Sequence, residues 1–279
     1  MTREEALREA VLARYTSRYD GLWREIERGL AETDDAFWLM GAANYLFSTG
    51  GVRWAVDPMF NTPRNGASLE TIGSERAKAL LDTMAFVLLT HCHADHFDPK
   101  AMALCPDIEW IVPDHLLSRV PETCRNVTVI RAGDVIERRG ITIRAFDSLH
   151  YDAGTTLGVP ETGYLVDTGR FRLLFPTDIR DYDAARLPDM GRVTHFFAHV
   201  WLGRGNALNY PCGDYPARMA RFILAFKPDK IYLAHLMEAE RPPEDLWTYA
   251  HAGLVLDAIL TEKPEADAEI PMVGKTVRL

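Results

Sequence analysis

Four side chains of the types that bind metals lie close together in one short segment of the sequence. They are His91, His93, Asp95 and His96, and they follow directly on the apolar run 86–89. Such a run predicts a buried strand, and α/β sheets usually place their sites at the carboxyl ends of strands. Imidazole nitrogens and carboxylate oxygens are the ligands that zinc and related divalent ions prefer. The segment therefore predicts a metal site, which we favour over a solvated histidine-rich loop.

The spacing His-x-His-x-Asp-His after an apolar strand resembles the metallo-β-lactamase superfamily. Three later residues follow predicted strands in the order of that family's other motifs: His150, Asp178 and His235. A lone histidine at a strand end is more often structural, so the resemblance depends on this ordered recurrence. It implies two metal ions with Asp178 as the bridging carboxylate. The other implied ligands are His91, His93 and His150 for the first metal and Asp95, His96 and His235 for the second.

Two further segments resemble one branch of that superfamily, the L-ascorbate-6-phosphate lactonase-like and other intracellular metal-dependent hydrolases. They are residues 38–47, Trp-Leu-Met-Gly-Ala-Ala-Asn-Tyr-Leu-Phe, and residues 55–58, Ala-Val-Asp-Pro. In that pattern Asp57 lies beneath the metal loop, where its carboxylate would accept a hydrogen bond from a ligand imidazole and fix the ring. An Asx turn before Pro58 explains the same aspartate equally well.

The resemblance implies a hydrolase whose nucleophile is a hydroxide that bridges two metal ions. Two divalent ions lower the pKa of bound water towards about 7 and polarise a carbonyl or phosphoryl oxygen. Zinc is the expected metal, with manganese and iron as alternatives. We expect Asp95 and Asp178 to hold the hydroxide and accept its proton, and His199 to donate a proton to the leaving group or bind an oxyanion. The implied substrate is a small ester, lactone or phosphodiester.

Two other functions are weighed against this hydrolase. An iron-dependent oxidoreductase would use the same kind of ligands, since some members of the superfamily combine iron with oxygen. A non-catalytic protein that kept only the fold would be expected to lack a ligand. All seven ligand positions are filled in this sequence, so a catalytic function is favoured.

The segment 199–210 follows a predicted strand at the same edge as the metal loop and is expected to line or cover the cleft. Arg204 could bind a substrate carboxylate or phosphate through two parallel hydrogen bonds, and Trp201 could stack on an apolar part of the substrate. Asn206 is assigned to the same substrate-binding group. A surface arginine in a solvated loop is the competing interpretation of Arg204.

The elements that must position these residues predict an α/β protein with the metallo-β-lactamase αββα four-layer sandwich. Strand-like and helical runs alternate in two similar halves, each of which begins with a hairpin. The predicted strands are 37–47 and 52–56, 86–89, 108–112, 127–130, 141–146, 163–166, 171–175, 195–200 and 231–234. The predicted helices are 74–81, 99–104, 113–119 and 215–226.

Residues 3–30 carry apolar side chains at helical spacing and predict an N-terminal helical extension of one or two amphipathic helices. We therefore divide the chain into this extension, residues 1–35, and a hydrolase domain, residues 36–279. The extension could form a dimer contact, which would make the protein a homo-oligomer, or pack within its own chain.

Composition excludes several classes of partner. The chain has 279 residues, 31 basic and 40 acidic, and a formal net charge of -9, which opposes binding to nucleic acid. The apolar runs are too short for a membrane span and the charged N-terminus is unlike a signal peptide. The four cysteines form no Cys-x-x-Cys pair and are expected to be reduced thiols. These features lead us to expect a cytoplasmic protein that binds a small-molecule substrate, without nucleic acid or membrane partners.

Overall fold

Buried apolar runs of the chain pair into two seven-stranded sheets that pack face to face. The computed structural model describes residues 19–64, 67–70, 72–152, 154–238 and 241–279. Its strands are β1 (Ala36–Leu39), β2 (Tyr45–Thr49), β3 (Val52–Val56), β4 (Asn61–Arg64), β5 (Ala67–Glu70), β6 (Phe86–Leu88), β7 (Glu109–Pro113), β8 (Val127–Ile130), β9 (Val135–Arg138), β10 (Ile141–Asp147), β11 (Thr162–Asp167), β12 (Arg172–Thr177), β13 (His195–His199), β14 (Lys230–Ala234), β15 (Asp267–Glu269) and β16 (Val277–Arg278). Its α-helices are α1 (Tyr19–Glu32), α2 (Ser74–Leu81), α3 (Pro99–Leu104), α4 (Tyr215–Ala225) and α5 (Tyr249–Glu262).

The two sheets repeat one topology. The first has the order β16-β1-β2-β3-β6-β7-β8 and the second the order β15-β14-β13-β12-β11-β10-β9. In each sheet an antiparallel meander leads into parallel strands: β3, β6, β7 and β8 in the first, and β12, β13, β14 and β15 in the second. Strands β4 and β5 form a separate hairpin.

Aromatic side chains fill the space between the sheets. Phe47 stacks on Trp54 within the first sheet, with ring centroids 4.1 Å apart. Phe37 meets Phe197 of the second sheet edge-on at 5.0 Å, and Phe197 stacks on Phe175 at 4.5 Å. Each fully buried side chain of this size contributes about 1.5–3 kcal/mol through the hydrophobic effect. This inner layer therefore holds the two sheets together.

Helices cover the outer face of each sheet. Helix α2 packs on the first sheet through Leu80 and Leu81, while α4 and α5 pack on the second through side chains such as Ile223 and Ile259. The order helix, sheet, sheet, helix is the predicted αββα sandwich, and this fold class is confirmed.

The N-terminal helix α1 lies on the first sheet. Trp23, Ile26 and Leu30 recur at helical spacing and are buried in the same apolar cluster as Trp38. The ring of Trp23 stacks on Phe60 at 5.5 Å. Of the predicted helical segment 3–30, residues 3–18 lie outside the described part of the chain. The division into 1–35 and 36–279 stays a prediction.

Some element boundaries differ from those expected. The predicted run 37–47 is two strands, β1 and β2, because the chain turns between them and the Met40 N–H donates to the Asn44 carbonyl at 2.9 Å. The predicted helix 113–119 is a 3-10 helix over Asp114–Arg119, since Pro113 still belongs to β7. The short edge strands β9, β15 and β16 were not predicted, because they bury too little apolar surface to show a period.

Candidate metal centre

The predicted ligands meet because their strands end at one edge of the sandwich. The loop that holds His91 and His96 follows β6, and His150 follows β10. Asp178 directly follows β12, and His235 directly follows β14. Backbone strain accompanies this convergence: Thr177 and His235 have φ angles of 64° and 67°, which residues other than glycine rarely adopt.

The seven ligand-type side chains form two groups that share one residue. The first group is His91, His93, His150 and Asp178, and the second is Asp95, His96, Asp178 and His235. Within each group the candidate ligand atoms lie within 4.8 Å of one another. One oxygen of Asp178, Oδ2, lies 3.8 Å from His91 Nε2 and 3.5 Å from His235 Nε2. A single carboxylate therefore faces both groups.

Carboxylates behind two of the histidines orient their rings. His91 Nδ1 lies 2.8 Å from Glu161 Oε1, and His96 Nδ1 lies 2.8 Å from Asp57 Oδ2. A ring that donates from Nδ1 presents the lone pair of Nε2, which is the tautomer a metal ligand needs. Both Nε2 atoms are buried and lack a hydrogen-bond partner among the described residues. Buried polar atoms are seldom left unpaired, so these nitrogens fit a metal ion.

Further buried nitrogens support the same fit. Nδ1 of His93, both ring nitrogens of His150 and Nδ1 of His235 have no hydrogen-bond partner in the described part of the chain. The carboxylates of Asp57, Asp95, Glu161 and Asp178 are buried nearby. Such a concentration of buried negative charge is costly unless cations compensate it. The residues present therefore fit divalent metal ions.

Burial and charge set the protonation states of the site. Burial lowers the pKa of His91 well below its ordinary value, and it also lowers that of His93, so both rings are neutral. For Asp178, burial acts to raise the pKa, but the positive charges of His235 and His96 outweigh it and hold the pKa well below the ordinary value. The site thus offers neutral imidazoles at His91 and His93 and an ionised carboxylate at Asp178, the forms that bind metals. Burial acts to lower the pKa values of His96 and His235 too, but the negative charges of Asp178 and Asp95 outweigh it and raise both, so a metal ion at the second group would displace their protons.

Asp57 lies directly below the second group. Its Oδ1 accepts from the Thr90 backbone N–H at 2.8 Å and its Oδ2 from the Thr90 hydroxyl at 2.6 Å, in addition to the contact with His96. Asn44 donates its side-chain amide to the carbonyls of Asp57 and Asp95, at 2.9 and 2.8 Å. The aspartate therefore connects the end of β3 to the metal-ligand loop, and its role beneath a metal ion stays a prediction.

His199 lies behind Asp178. Its Nδ1 is 2.8 Å from Asp178 Oδ1, and its Nε2 is 3.0 Å from the Tyr45 hydroxyl. The ring is buried and stacks on His235, with centroids 5.5 Å apart. Both nitrogens therefore have protein partners, which differs from the expected contact with a leaving group.

The segment after His199 contributes residues near the first group, but not all of those expected. Arg204 pairs with Asp152, two residues beyond His150, at 2.8 Å. Trp201 lies 5.8 Å from the guanidinium of Arg180 and meets Tyr215 edge-on. Asn206 instead donates its amide to the Leu202 carbonyl at 2.7 Å, a contact within its own loop. The substrate-binding roles of these residues stay predictions.

Sequence reasoning did not identify three residues of the site: Glu161 and Arg241, which contact ligands, and Tyr45, which contacts His199. Glu161 directly precedes β11. Because β11 is antiparallel to β12, the start of β11 lies at the edge where β12 ends. Tyr45 is the first residue of β2. Because β2 is antiparallel to β3, Tyr45 lies at the edge where β3 ends. Arg241 lies 3.5 Å from Asp95. For Glu161 and Tyr45, the only signal in the sequence was a polar residue at the start of a strand. That position indicates a contact with the site only once the strand pairing is known.

A comparison with known families identifies the chain. Residues 38–200 match the family described as the beta-lactamase superfamily domain, more than half of the sequence. Together with the sandwich fold and the two ligand groups, this match shows that the chain belongs to the metallo-β-lactamase superfamily. No curated protein matches the sequence. The resemblance to the L-ascorbate-6-phosphate lactonase-like branch stays an expectation.

Solved structures share the fold at low sequence identity. Igni18, a metallo hydrolase from Ignicoccus hospitalis KIN4/I, has a TM-score of 0.61 and 14% identity, with 87% of this chain and 97% of that chain covered. An isothiocyanate hydrolase from Delia radicum gut bacteria has a TM-score of 0.58 and 17% identity, with 88% and 98% covered. CmlA, a diiron beta-hydroxylase from Streptomyces venezuelae, has a TM-score of 0.60 and 16% identity, with 88% of this chain covered. The match spans 54% of the length of CmlA.

No helix in the described ranges is both long and apolar enough to cross a lipid bilayer.

Proposed function

We propose that this protein is a dinuclear metal-dependent hydrolase of a small ester, lactone or phosphodiester. The observation that supports it most is the position of Asp178, whose carboxylate belongs to both ligand groups. Shared carboxylates of this kind place two ions close enough to act on one substrate. Zinc is the metal that we favour, because the donors are imidazoles and carboxylates.

Two bound divalent ions would supply Lewis acidity towards a carbonyl or phosphoryl oxygen and an activated water as the nucleophile. The chain's own residues do the rest. Asp178 stays ionised and is held from behind by His199, which in turn contacts Tyr45. Asp95 Oδ2 lies 3.1 Å from His235 Nε2 and 3.5 Å from Arg241, and these neighbours keep the carboxylate ionised. We assign to Asp95 the acceptance of a proton from the nucleophilic water, which requires the ionised form.

A second candidate is an iron-dependent oxidoreductase. Imidazole and carboxylate ligands also suit iron, and CmlA shows that this fold can hold a diiron hydroxylase. CmlA is similar to this chain in fold alone, and its activity does not transfer with the fold. We rank the hydrolase first because two of the similar structures, Igni18 and the isothiocyanate hydrolase, are hydrolases, and the match covers nearly the whole length of each.

Metal removal tests the proposal. We expect p-nitrophenyl acetate or bis(p-nitrophenyl) phosphate to be hydrolysed by the zinc-loaded protein, the activity to disappear after chelation and to return with zinc. His93→Ala should lose at least about a hundredfold in kcat/KM, since it removes a ligand of one ion. His195→Asn, a histidine change on β13 away from the ligands, should keep the activity. Hydrolysis that survives chelation, or iron-dependent oxygen consumption without hydrolysis, would overturn the proposal.

A further inference from the structure

Arg180 is a mostly buried arginine near the metal centre to which the proposed function assigns no role. It follows Asp178 by two residues, and its side chain is 10% exposed. A guanidinium carries five N–H donors and is usually well paired when buried. Within the part of the chain that the structure describes, this one makes no hydrogen bond. Among the described residues, the nearest carboxylate oxygen, Asp152 Oδ1, is 3.9 Å away, and the Trp201 ring lies 5.8 Å from the guanidinium.

Arg180 lies beside the first ligand group. Its backbone N–H donates to the carbonyl of Leu149, the residue before His150, at 2.8 Å, and its Nη1 lies 3.9 Å from Oδ1 of Asp152, two residues beyond His150. Burial is the main cause of the lowered pKa of His93 and of His150, and the positive charge of Arg180 contributes to both shifts. The negative charge of Asp178 acts on Arg180 in turn. The guanidinium thus adds positive charge at the first ligand group.

Neighbouring arginines differ from Arg180 in being paired. Arg204 holds Asp152 Oδ2 through Nε at 2.9 Å and Nη2 at 2.8 Å. Arg241 holds Glu238 and lies 3.5 Å from Asp95. Because Arg204 neutralises Asp152, the three side chains Arg180, Arg204 and Asp152 together keep one positive charge.

Building on the proposed hydrolase function, we propose that Arg180 binds an anionic group of the substrate, a carboxylate or a phosphoryl group, next to the first metal. Its planar fork of donors matches two oxygens of such a group, and the partial burial strengthens the contact by excluding water. The Trp201 ring lies on one side of the guanidinium, 5.8 Å from it. The substrate class is therefore narrowed from any small ester to an anionic ester, lactone or phosphodiester.

Binding of inorganic phosphate to the zinc-loaded protein tests this assignment without any turnover. We expect Arg180→Met, which keeps the length of the stem and removes the charge, to weaken phosphate binding by about tenfold or more in titration calorimetry. Arg180→Lys should weaken it less, because the charge remains and only the fork is lost. Arg192→Met is the matched control, since Arg192 is exposed and pairs with Asp229 at 2.8 Å. Acetate used in place of phosphate distinguishes a carboxylate site from a phosphoryl site.

Two results would overturn the assignment: equal affinities of the wild-type protein and Arg180→Met for both phosphate and acetate, or binding of neither anion by the wild-type protein. If Arg180→Met does not fold, Arg180→Lys must still weaken binding relative to Arg192→Met. In kinetics, the KM for bis(p-nitrophenyl) phosphate should rise in Arg180→Met while that for the neutral p-nitrophenyl acetate stays the same. Zinc content measured on the same samples separates the two proposals. Retained zinc with unchanged affinity for both anions rejects only the role of Arg180, whereas absence of zinc from the wild-type protein rejects the hydrolase.

Discussion

Three of the seven ligand side chains are held from behind by a further buried side chain. Glu161 holds His91 of the first group, and Asp57 holds His96 of the second. His199 does the same for Asp178, which belongs to both. Partners of this kind fix the tautomer and orientation of a ligand before the metal arrives, so that less entropy is lost on binding. The metal affinity of the site therefore depends on residues that touch no metal.

Asp57→Asn should lower the affinity for the second metal by about 10- to 100-fold. The carboxylate accepts three hydrogen bonds, two from Thr90 and one from His96. An asparagine presents an NH₂ group to at least one of these donors in either orientation of its amide. Competition with a chromophoric chelator measures the effect. Asp34→Asn is the control, because Asp34 also accepts two hydrogen bonds, from Ser48 and Gly51, but lies away from the ligands. Equal affinities in both variants would contradict the role of Asp57.

At the scale of elements, local patterns predicted the residues that follow strands but not those that precede them. His91 and Asp178 stand at the ends of apolar runs, which a reader of the sequence can recognise. Glu161 and Tyr45 stand at the starts of antiparallel strands, and they reach the site only through pairing with β12 and β3. Arg241 comes from a loop after β14 with no periodic pattern. Short-range spacing carries no information about such pairings, so these contacts could not be predicted.

Glycines in the segment after β13 should differ in their tolerance of a side chain. A Cβ at Gly203 would lie 2.7 Å from the Tyr215 ring at a φ of 99°, whereas at Gly205, with a φ of 67°, it would meet no atom within 4 Å. Gly203→Ala therefore adds a steric clash to backbone strain and should cost about 2–4 kcal/mol of unfolding free energy, against about 1 kcal/mol for Gly205→Ala. Urea unfolding of both variants checks this order. A smaller loss of unfolding free energy for Gly203→Ala than for Gly205→Ala would contradict the close packing of Gly203 against Tyr215.

Across the whole molecule, the confirmed sandwich fold explains why one short motif predicted so much. Its two half-repeats bring the carboxyl ends of β6, β10, β12 and β14 to one edge. The seven ligand residues between positions 91 and 235 therefore meet, although the sequence separates them widely. The ligand positions followed from the resemblance to the superfamily. The substrate did not, because it depends on loops such as 201–214, whose conformation is set by long-range contacts.

Buried histidines away from the metal centre should contribute to acid sensitivity of the whole fold. Burial, aided by the charge of Lys230, lowers the pKa of His195 from 6.5 to about 4. The unfolded chain binds a proton at His195 as the pH falls below about 6.5, whereas the folded protein does so only near 4. The stabilisation by the neutral ring is thus complete above pH 6.5 and is lost as the pH falls towards 4.

His195→Asn should therefore show a weaker pH dependence of stability than the wild-type protein. The difference between their unfolding free energies should change by about 1–2 kcal/mol, in favour of the variant, as the pH falls through this window; the figure allows for solvent screening of a partly accessible ring. Denaturant unfolding at a series of pH values measures it. Parallel curves for the two proteins would contradict a neutral, buried His195.

The position of Asp178 between the two ligand groups is tested most directly by metal content per chain, measured after zinc loading and removal of excess metal. We expect about two zinc ions in the wild-type protein, about one in His93→Ala, and less than one in Asp178→Ala, because only Asp178 serves both groups. Circular dichroism of each variant shows whether the fold is kept. Two ions retained by a folded Asp178→Ala, or no tightly bound metal in the wild-type protein, would contradict a shared dinuclear centre.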